Sequence, residues 1–120
     1  TRSFVSGRVL LGEPIRTALM RNLEKDLGPT AFPQLPAAIA PFTVAELFQL
    51  PGVTPLYDHR QHAVALAYIV AVAGECAPRQ DALELTWLTP EEAASPEILA
   101  ELEGGRGSLM QQALAHLGVQ

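Results

Sequence analysis

The chain has 120 residues, of which 48% are hydrophobic, and a formal net charge of −5 at pH 7. This is enough chain for one domain with one core, so we expect a single domain over residues 1–120, and the apolar content argues against disorder. The acidic balance predicts no nucleic-acid partner. The longest apolar run, Ala63–Ala73, is too short to span a bilayer, so we predict no membrane partner. A single cysteine, Cys76, excludes an internal disulfide framework, and with no visible signal peptide it predicts a cytoplasmic protein.

The first predicted element after a short N-terminal segment is a helix that begins near Pro14. Proline suits the first turn, because the N–H that it lacks has no partner there. Apolar residues then recur at helical spacing and define one buried face: Ile15, Ala18, Leu19, Leu23 and Leu27. The pair Gly28–Pro29 predicts the end of this helix. The preceding segment, Phe4–Leu11, is interpreted as the end of a strand followed by a loop.

The following elements are mostly strands. In chain order we predict a proline-rich loop over Thr30–Pro41, a strand over Phe42–Leu50, a second loop over Pro51–Gln61, and strands over His62–Gly74 and Ala82–Leu88. The run inside the His62–Gly74 strand is interpreted as buried. Thr89 and Pro90 have the character of a helix start, and Gly104–Gly105 separates that helical region from a last helix over Ser108–Leu117. This order indicates an α/β domain with helices layered on a mixed or antiparallel sheet.

One face of the first helix has the spacing of a metal site but not its charge. Residues 22, 25 and 26 are related as i, i+3 and i+4, so they share one helix face. Three carboxylates there would bind Mg²⁺, which prefers oxygen ligands. This chain instead has Asn22, Lys25 and Asp26, so the face is close to neutral and its attraction for a divalent cation is reduced. Asp26 is the best candidate metal ligand, Asn22 can lend an amide oxygen, and Lys25 repels a cation.

The segment that contains this face resembles the Nudix box. Five residues match the pattern of that family without insertion: Gly7, Glu13, Arg21, Leu23 and Gly28. Asp26 takes the position of the last glutamate of the box, whereas Asn22 and Lys25 take the positions of two other glutamates. The later segments around His62–Gly74 and Trp87 are also similar to the family's strands. The amino-acid sequence of the box is similar to that of a divergent actinobacterial Nudix-like group of unassigned function.

The resemblance implies a fold, a reaction and a set of site residues. The fold is an α/β/α sandwich with a mixed sheet, in which strands precede the box, and we expect these N-terminal strands to be missing from this chain. The reaction is cleavage of a diphosphate linkage with Mg²⁺, and family members are often homodimers. The residues that the resemblance assigns to the catalytic site are Glu13, Arg21, Asn22, Lys25 and Asp26.

Two residue roles at the box stay open. Lys25, the only lysine, is either an ammonium that replaces the metal and meets a phosphate, or a solvated surface charge. Glu13 and Arg21 are expected to form a structural ion pair across the junction between loop and helix, and a metal or catalytic role for Glu13 is the alternative.

Three functions remain open on these residues. We favour binding of a nucleoside-diphosphate-type or other phosphorylated small molecule, with weak or no metal-dependent hydrolysis. The alternatives are an active Mg²⁺-dependent hydrolase and a non-catalytic protein-interaction module. The sequence predicts weak Mg²⁺ binding at most, because two carboxylates of the box are replaced.

A polar loop before the His62–Gly74 strand is a second candidate region. We predict that His59, Arg60 and His62 contact a phosphate or base of the substrate, and the alternative is ordinary loop polarity. The His59–His62 spacing alone does not predict a zinc site, since two ligands are too few.

Overall fold

The computed structural model describes residues 4–76, 88–102 and 104–118. The chain divides into two compact units. One, which we call the box unit, contains residues 4–39 and 70–76 of the described part, and the other, the sheet unit, contains residues 40–69, 88–102 and 104–118. The elements in chain order are α1 (Ile15–Leu27), β1 (Ala31–Gln34), β2 (Thr43–Phe48), β3 (Leu56–Tyr57), β4 (Ala63–Ala67), β5 (Ala71–Gly74), α2 (Pro90–Ala93), α3 (Pro96–Glu101) and α4 (Arg106–His116).

The box unit is built from α1 and a two-stranded antiparallel ribbon of β1 and β5. Helix α1 begins directly after Pro14 and ends at Gly28, whose φ of 93° is the positive value that favours glycine. Arg16, in the first turn of α1, donates to the carbonyl oxygens of Pro36 and Ala37, and so ties the proline-rich loop to the helix. Buried Ala18 and Leu27 lie on the side of α1 that the apolar spacing predicts.

The sheet unit contains a three-stranded mixed sheet in the order β3-β2-β4. Strand β2 pairs antiparallel with β4, from Thr43 opposite Ala67 to Leu47 opposite Ala63, and parallel with the short β3. Its buried apolar residues come from the sheet and from the helices: Leu47, Leu56, Ala93, Leu102 and Leu114. The helices α3 and α4 pack against each other. This mixed sheet with helices confirms the predicted α/β class.

A glycine pair at the start of α4 lets the backbone approach β3. Gly104 and Gly105 have φ values of 64° and 85°. The carbonyl oxygen of Gly104 accepts a hydrogen bond of 2.9 Å from the N–H of Tyr57. A Cβ on Gly105 would overlap the carbonyl oxygen of Pro55, so this contact requires glycine. The predicted break at this pair is therefore also a packing contact.

Several predicted elements are wrong in their bounds. The predicted loops contain β1 and β3, and the single predicted strand over His62–Gly74 is two strands, β4 and β5, which pair in different sheets. Its apolar run is not buried, since Val64 is 68% exposed. The described part of Phe4–Leu11 contains no strand. The predicted strand over Ala82–Leu88 lies outside the described residues, except for Leu88. Among the described helices, none combines the length and the apolar character that crossing a membrane requires.

Candidate functional site at the box helix

Glu13 and Arg21 form a two-point ion pair at the start of α1. Arg21 Nε donates to Glu13 Oε2 at 2.8 Å, and Arg21 Nη2 donates to Oε1 at 2.9 Å. The Leu10 N–H donates to Oε1 at 3.0 Å, and Arg21 Nη2 also donates to the Arg8 carbonyl oxygen at 2.7 Å. The Glu13 side chain is 10% exposed. The pair therefore holds the loop of residues 8–13 against α1.

These hydrogen bonds decide the charge of Glu13. The Arg21 side chain, followed by the Leu10 N–H, lowers the pKa of Glu13 from its usual 4.5 to about 2. The same pairing raises the pKa of Arg21. Glu13 is therefore ionised at any physiological pH, with both oxygens already accepting hydrogen bonds. A carboxylate in this state is a poor proton acceptor, which weighs against a role as general base.

Asn22 is buried, at 8% exposure, and its amide points back along the helix. Its Nδ2 donates to the Ala18 carbonyl oxygen at 2.9 Å and to the Arg8 carbonyl oxygen at 3.4 Å. Its Oδ1 lies against Gly7, because a Cβ built on Gly7 would overlap that oxygen. The atom that the sequence suggested as a metal ligand therefore faces a glycine backbone.

Lys25 and Asp26 are half-buried near the C-terminal end of α1. Within the described residues neither makes an ion pair. Glu24 is exposed, and at about 100° per residue it lies on the side of the helix away from Asn22 and Asp26. The face thus presents one carboxylate and one ammonium.

The residues of this face do not fit a Mg²⁺ ion. Asp26 supplies one carboxylate, the Asn22 oxygen faces Gly7, and Lys25 is a cation. In the parts of the chain that the structure describes, no three acidic, histidine or cysteine side chains are grouped so that they could hold a metal. Mg²⁺ is usually held by one or two carboxylates together with waters, and here the single carboxylate of Asp26 lies beside the cation Lys25, which opposes binding.

The predicted substrate residues His59, Arg60 and His62 belong to the sheet unit. Arg60 pairs with the buried carboxylate of Asp58, with Nη2 at 2.7 Å from Oδ2 and Nε at 2.9 Å from Oδ1. The exposed ring of His62 contacts the carboxylate of Glu46. The ring of His59 is exposed. The structure describes these residues in a different unit from α1, so their predicted role in substrate binding stays a prediction.

Sequence reasoning missed Asp58 as the organiser of that loop. Its Oδ1 accepts the Arg60 N–H at 3.0 Å, and the Arg60 side chain and N–H hold the pKa of the Asp58 carboxyl well below its usual range. The Gln61 N–H donates to the Asp58 carbonyl oxygen at 3.1 Å. An aspartate followed two residues later by a backbone donor is a common turn pattern, and that spacing was the available signal.

Comparison with known proteins supports the class that this fold and box indicate. A solved structure from Jonesia denitrificans, described as a possible asymmetric diadenosine tetraphosphate (Ap4A) hydrolase, is 64% identical to the chain, with a TM-score of 0.90. The match covers 95% of this chain and 72% of that one. The chain thus has a Nudix-like fold, and the resemblance to that family is confirmed.

The family assignment follows from a match over almost the whole chain. The model of a family described as Domain of unknown function (DUF4916) matches residues 1–119, and the chain belongs to this family. No curated protein shows significant similarity to the chain.

Proposed function

We propose that the chain binds a phosphorylated small molecule of the nucleoside-diphosphate type at the box helix, with weak or no metal-dependent hydrolysis. The observation that carries this proposal is the composition of the helix face. Where three carboxylates would bind a cation, the chain has a buried amide, an ammonium and one carboxylate, and the amide is already hydrogen-bonded to two backbone carbonyls.

Lys25 supplies the attraction for phosphate in this proposal. Lysine binds phosphate as a point charge, and it does so best where no carboxylate already neutralises it. Among the described residues Lys25 has no ion-pair partner, although it lies next to Asp26 in the sequence. Its half-buried position reduces the solvent screening of its charge. An anionic ligand is therefore expected to gain more from Lys25 than from a fully exposed lysine.

An active hydrolase is the second candidate, and the relative from Jonesia denitrificans favours it. That protein is described as a possible Ap4A hydrolase and is 64% identical to the chain. The residues at the matching positions of the box also contact one another: Glu13 pairs with Arg21, and Gly7 lies against Asn22. Nudix hydrolases generally use a divalent metal. The described residues of the box helix do not form such a site, which leaves them without an assigned catalytic step.

Binding and turnover can be measured separately. Calorimetry with ADP, ATP and Ap4A, each with and without Mg²⁺, measures affinity, and release of inorganic phosphate and nucleotide measures hydrolysis. We expect binding that does not require Mg²⁺ and falls about threefold or more in Lys25→Gln, because one charge near the phosphate is removed. Glu24→Gln is the matched control, since it changes one charge on a neighbouring, exposed side of α1.

Two results would separate the candidates. Mg²⁺-dependent turnover that is lost in Asp26→Ala would establish the hydrolase and end the proposal of a weakly active binding protein. No binding of any nucleotide would contradict both and leave the protein-interaction module that the sequence also allowed. The predicted homodimer and the predicted cytoplasmic location stay predictions.

A further inference from the structure

We infer that Asn22 is a positioning residue which ties the segment of Gly7 and Arg8 to α1, and that this box position no longer faces a metal or substrate. The inference goes beyond the proposed function, because it concerns how the box is held together whatever the ligand. It also explains why the residues do not fit Mg²⁺: the side chain at position 22 has another task.

The hydrogen-bond chemistry of Asn22 supports this role. Both partners of the side chain, the carbonyl oxygens of Ala18 and Arg8, only accept hydrogen bonds. An amide nitrogen can donate to both of them, whereas an ionised carboxylate can donate to neither. A glutamate or aspartate at this position would place negative charge against two carbonyl oxygens in a buried site. The amide is therefore required by its surroundings rather than tolerated.

Gly7 supports the role independently, through space. A Cβ built on Gly7 would overlap the Oδ1, Cγ and Nδ2 atoms of Asn22. Gly7 is not among the glycines with positive φ, so its backbone conformation is open to other residues. The requirement for glycine is thus the volume that the Asn22 side chain occupies. The first glycine of the box and position 22 form one packed contact.

The Arg8 carbonyl joins this contact to the ion pair. It accepts from Asn22 Nδ2 at 3.4 Å and from Arg21 Nη2 at 2.7 Å. Arg21 in turn holds Glu13, so consecutive residues of α1 fasten both ends of the loop of residues 8–13. Asn22 acts on the site only through this loop and through the placement of α1 beside it.

A double-mutant cycle between Gly7 and Asn22 tests the contact. Gly7→Ala is expected to lower the melting temperature by about 5 °C or more, because the new methyl group meets the Asn22 amide. In an Asn22→Ala background the same change is expected to cost much less, since the space is then free. An equal cost in both backgrounds would overturn the inference. Gly12→Ala is a control in the same loop, because nothing lies within 4 Å of its added Cβ; its cost, which comes from the positive φ of Gly12, is expected to be the same in the wild-type and Asn22→Ala backgrounds.

The stability of Asn22→Asp, measured as a function of pH, tests the hydrogen bonds. Its difference from wild type depends on pH only if the side chain faces hydrogen-bond acceptors. The introduced carboxyl has nearly the shape of the amide, and burial against two carbonyls raises its pKa above the usual value of about 3.9. The destabilisation relative to wild type is therefore expected to be full at pH 8 and to shrink as the pH falls towards about 4. Asn22→Ala has no such group, and its destabilisation is expected to stay constant over this range. A constant difference for Asn22→Asp would overturn the inference.

Titration with Mn²⁺ alone tests whether the side chain at position 22 faces a cation site. Asn22→Asp is expected to raise the Mn²⁺ affinity by no more than about threefold, which is the through-space effect of one added charge, because its carboxylate does not reach the ion. A tenfold gain in affinity would show that the side chain faces a cation site and would overturn the inference. Circular dichroism is used to check that each variant is folded before its Mn²⁺ affinity is compared with that of wild type.

Discussion

Replacing Lys25 by glutamate is expected to raise the Mn²⁺ affinity of the box helix close to tenfold at physiological ionic strength. The change reverses a charge on the face that also carries Asp26, so the face gains two units of negative charge. We evaluate the effect for a separation of about 6 Å between the changed charge and a cation bound at Asp26. The charge, rather than a new contact, is the quantity that the experiment changes.

The magnitude follows from Coulomb's law. Two charge units acting on a divalent cation at about 6 Å contribute about 2.8 kcal/mol in a medium with the dielectric constant of water. Screening with a Debye length of about 8 Å reduces this to about 1.3 kcal/mol, which is about ninefold in affinity. At about 10 mM salt the Debye length is near 30 Å, and the gain rises to about 2.3 kcal/mol or roughly 50-fold.

The assay is a Mn²⁺ titration, followed by electron paramagnetic resonance, at low and at physiological salt. Lys25→Gln removes one charge unit and is expected to give about half the free-energy gain. Glu24→Gln is the control for a charge change on another side of α1. The reasoning is refuted if folded Lys25→Glu protein binds Mn²⁺ like wild type, or if its gain is the same at both salt concentrations.

The remaining predictions concern stability. The folded-state pKa of Glu13 is about 2 and its usual value is 4.5, so the stability it contributes is complete above about pH 4.5 and is lost as the pH falls through about 2. Urea unfolding should therefore show a larger loss of stability from pH 6 to pH 3 for wild type than for Glu13→Gln. Gly74→Ala should lower the free energy of unfolding by more than about 1 kcal/mol, since φ is 84° and the new Cβ meets the Thr30 carbonyl oxygen. Gly52→Ala, at φ 86° in open space, should show the backbone cost alone, and equal losses of stability in the two variants would contradict this. Thr89→Ala removes the capping box of α2 and should cost about 1 kcal/mol in denaturant unfolding, with Thr89→Ser close to wild type; an unchanged midpoint for Thr89→Ala would show that the cap adds nothing.

Helix α1 shows how far local signals reach. The predicted start near Pro14 and end at Gly28 agree with the observed Ile15–Leu27 within one residue. These signals act within one turn of the chain, so sequence alone contains them. The spacing of residues 22, 25 and 26 is equally local.

The strands show where such signals end. The segment His62–Gly74 is apolar from Ala63 to Ala73 and has no turn residue inside, yet it breaks because β4 pairs with β2 and β5 pairs with β1. Pro33 argued for a loop, but it lies in a ribbon of two strands, β1 and β5. Among the described residues β1 pairs on one side only, and a missing N–H is tolerated on the other side of such a strand. Pairing between distant segments decides both cases, and composition does not contain it.

The sequence by itself determined the helix, the register of the box and the nearly neutral charge of its face, because periodicity and residue type suffice for these. Only the tertiary structure decided what Asn22 does there. Its amide donates to Ala18 within α1, but the carbonyl of Arg8, fourteen residues away, and the space beside Gly7 come from another part of the chain. A buried polar side chain must meet the donors and acceptors that folding brings next to it, and their positions exist only in the folded chain.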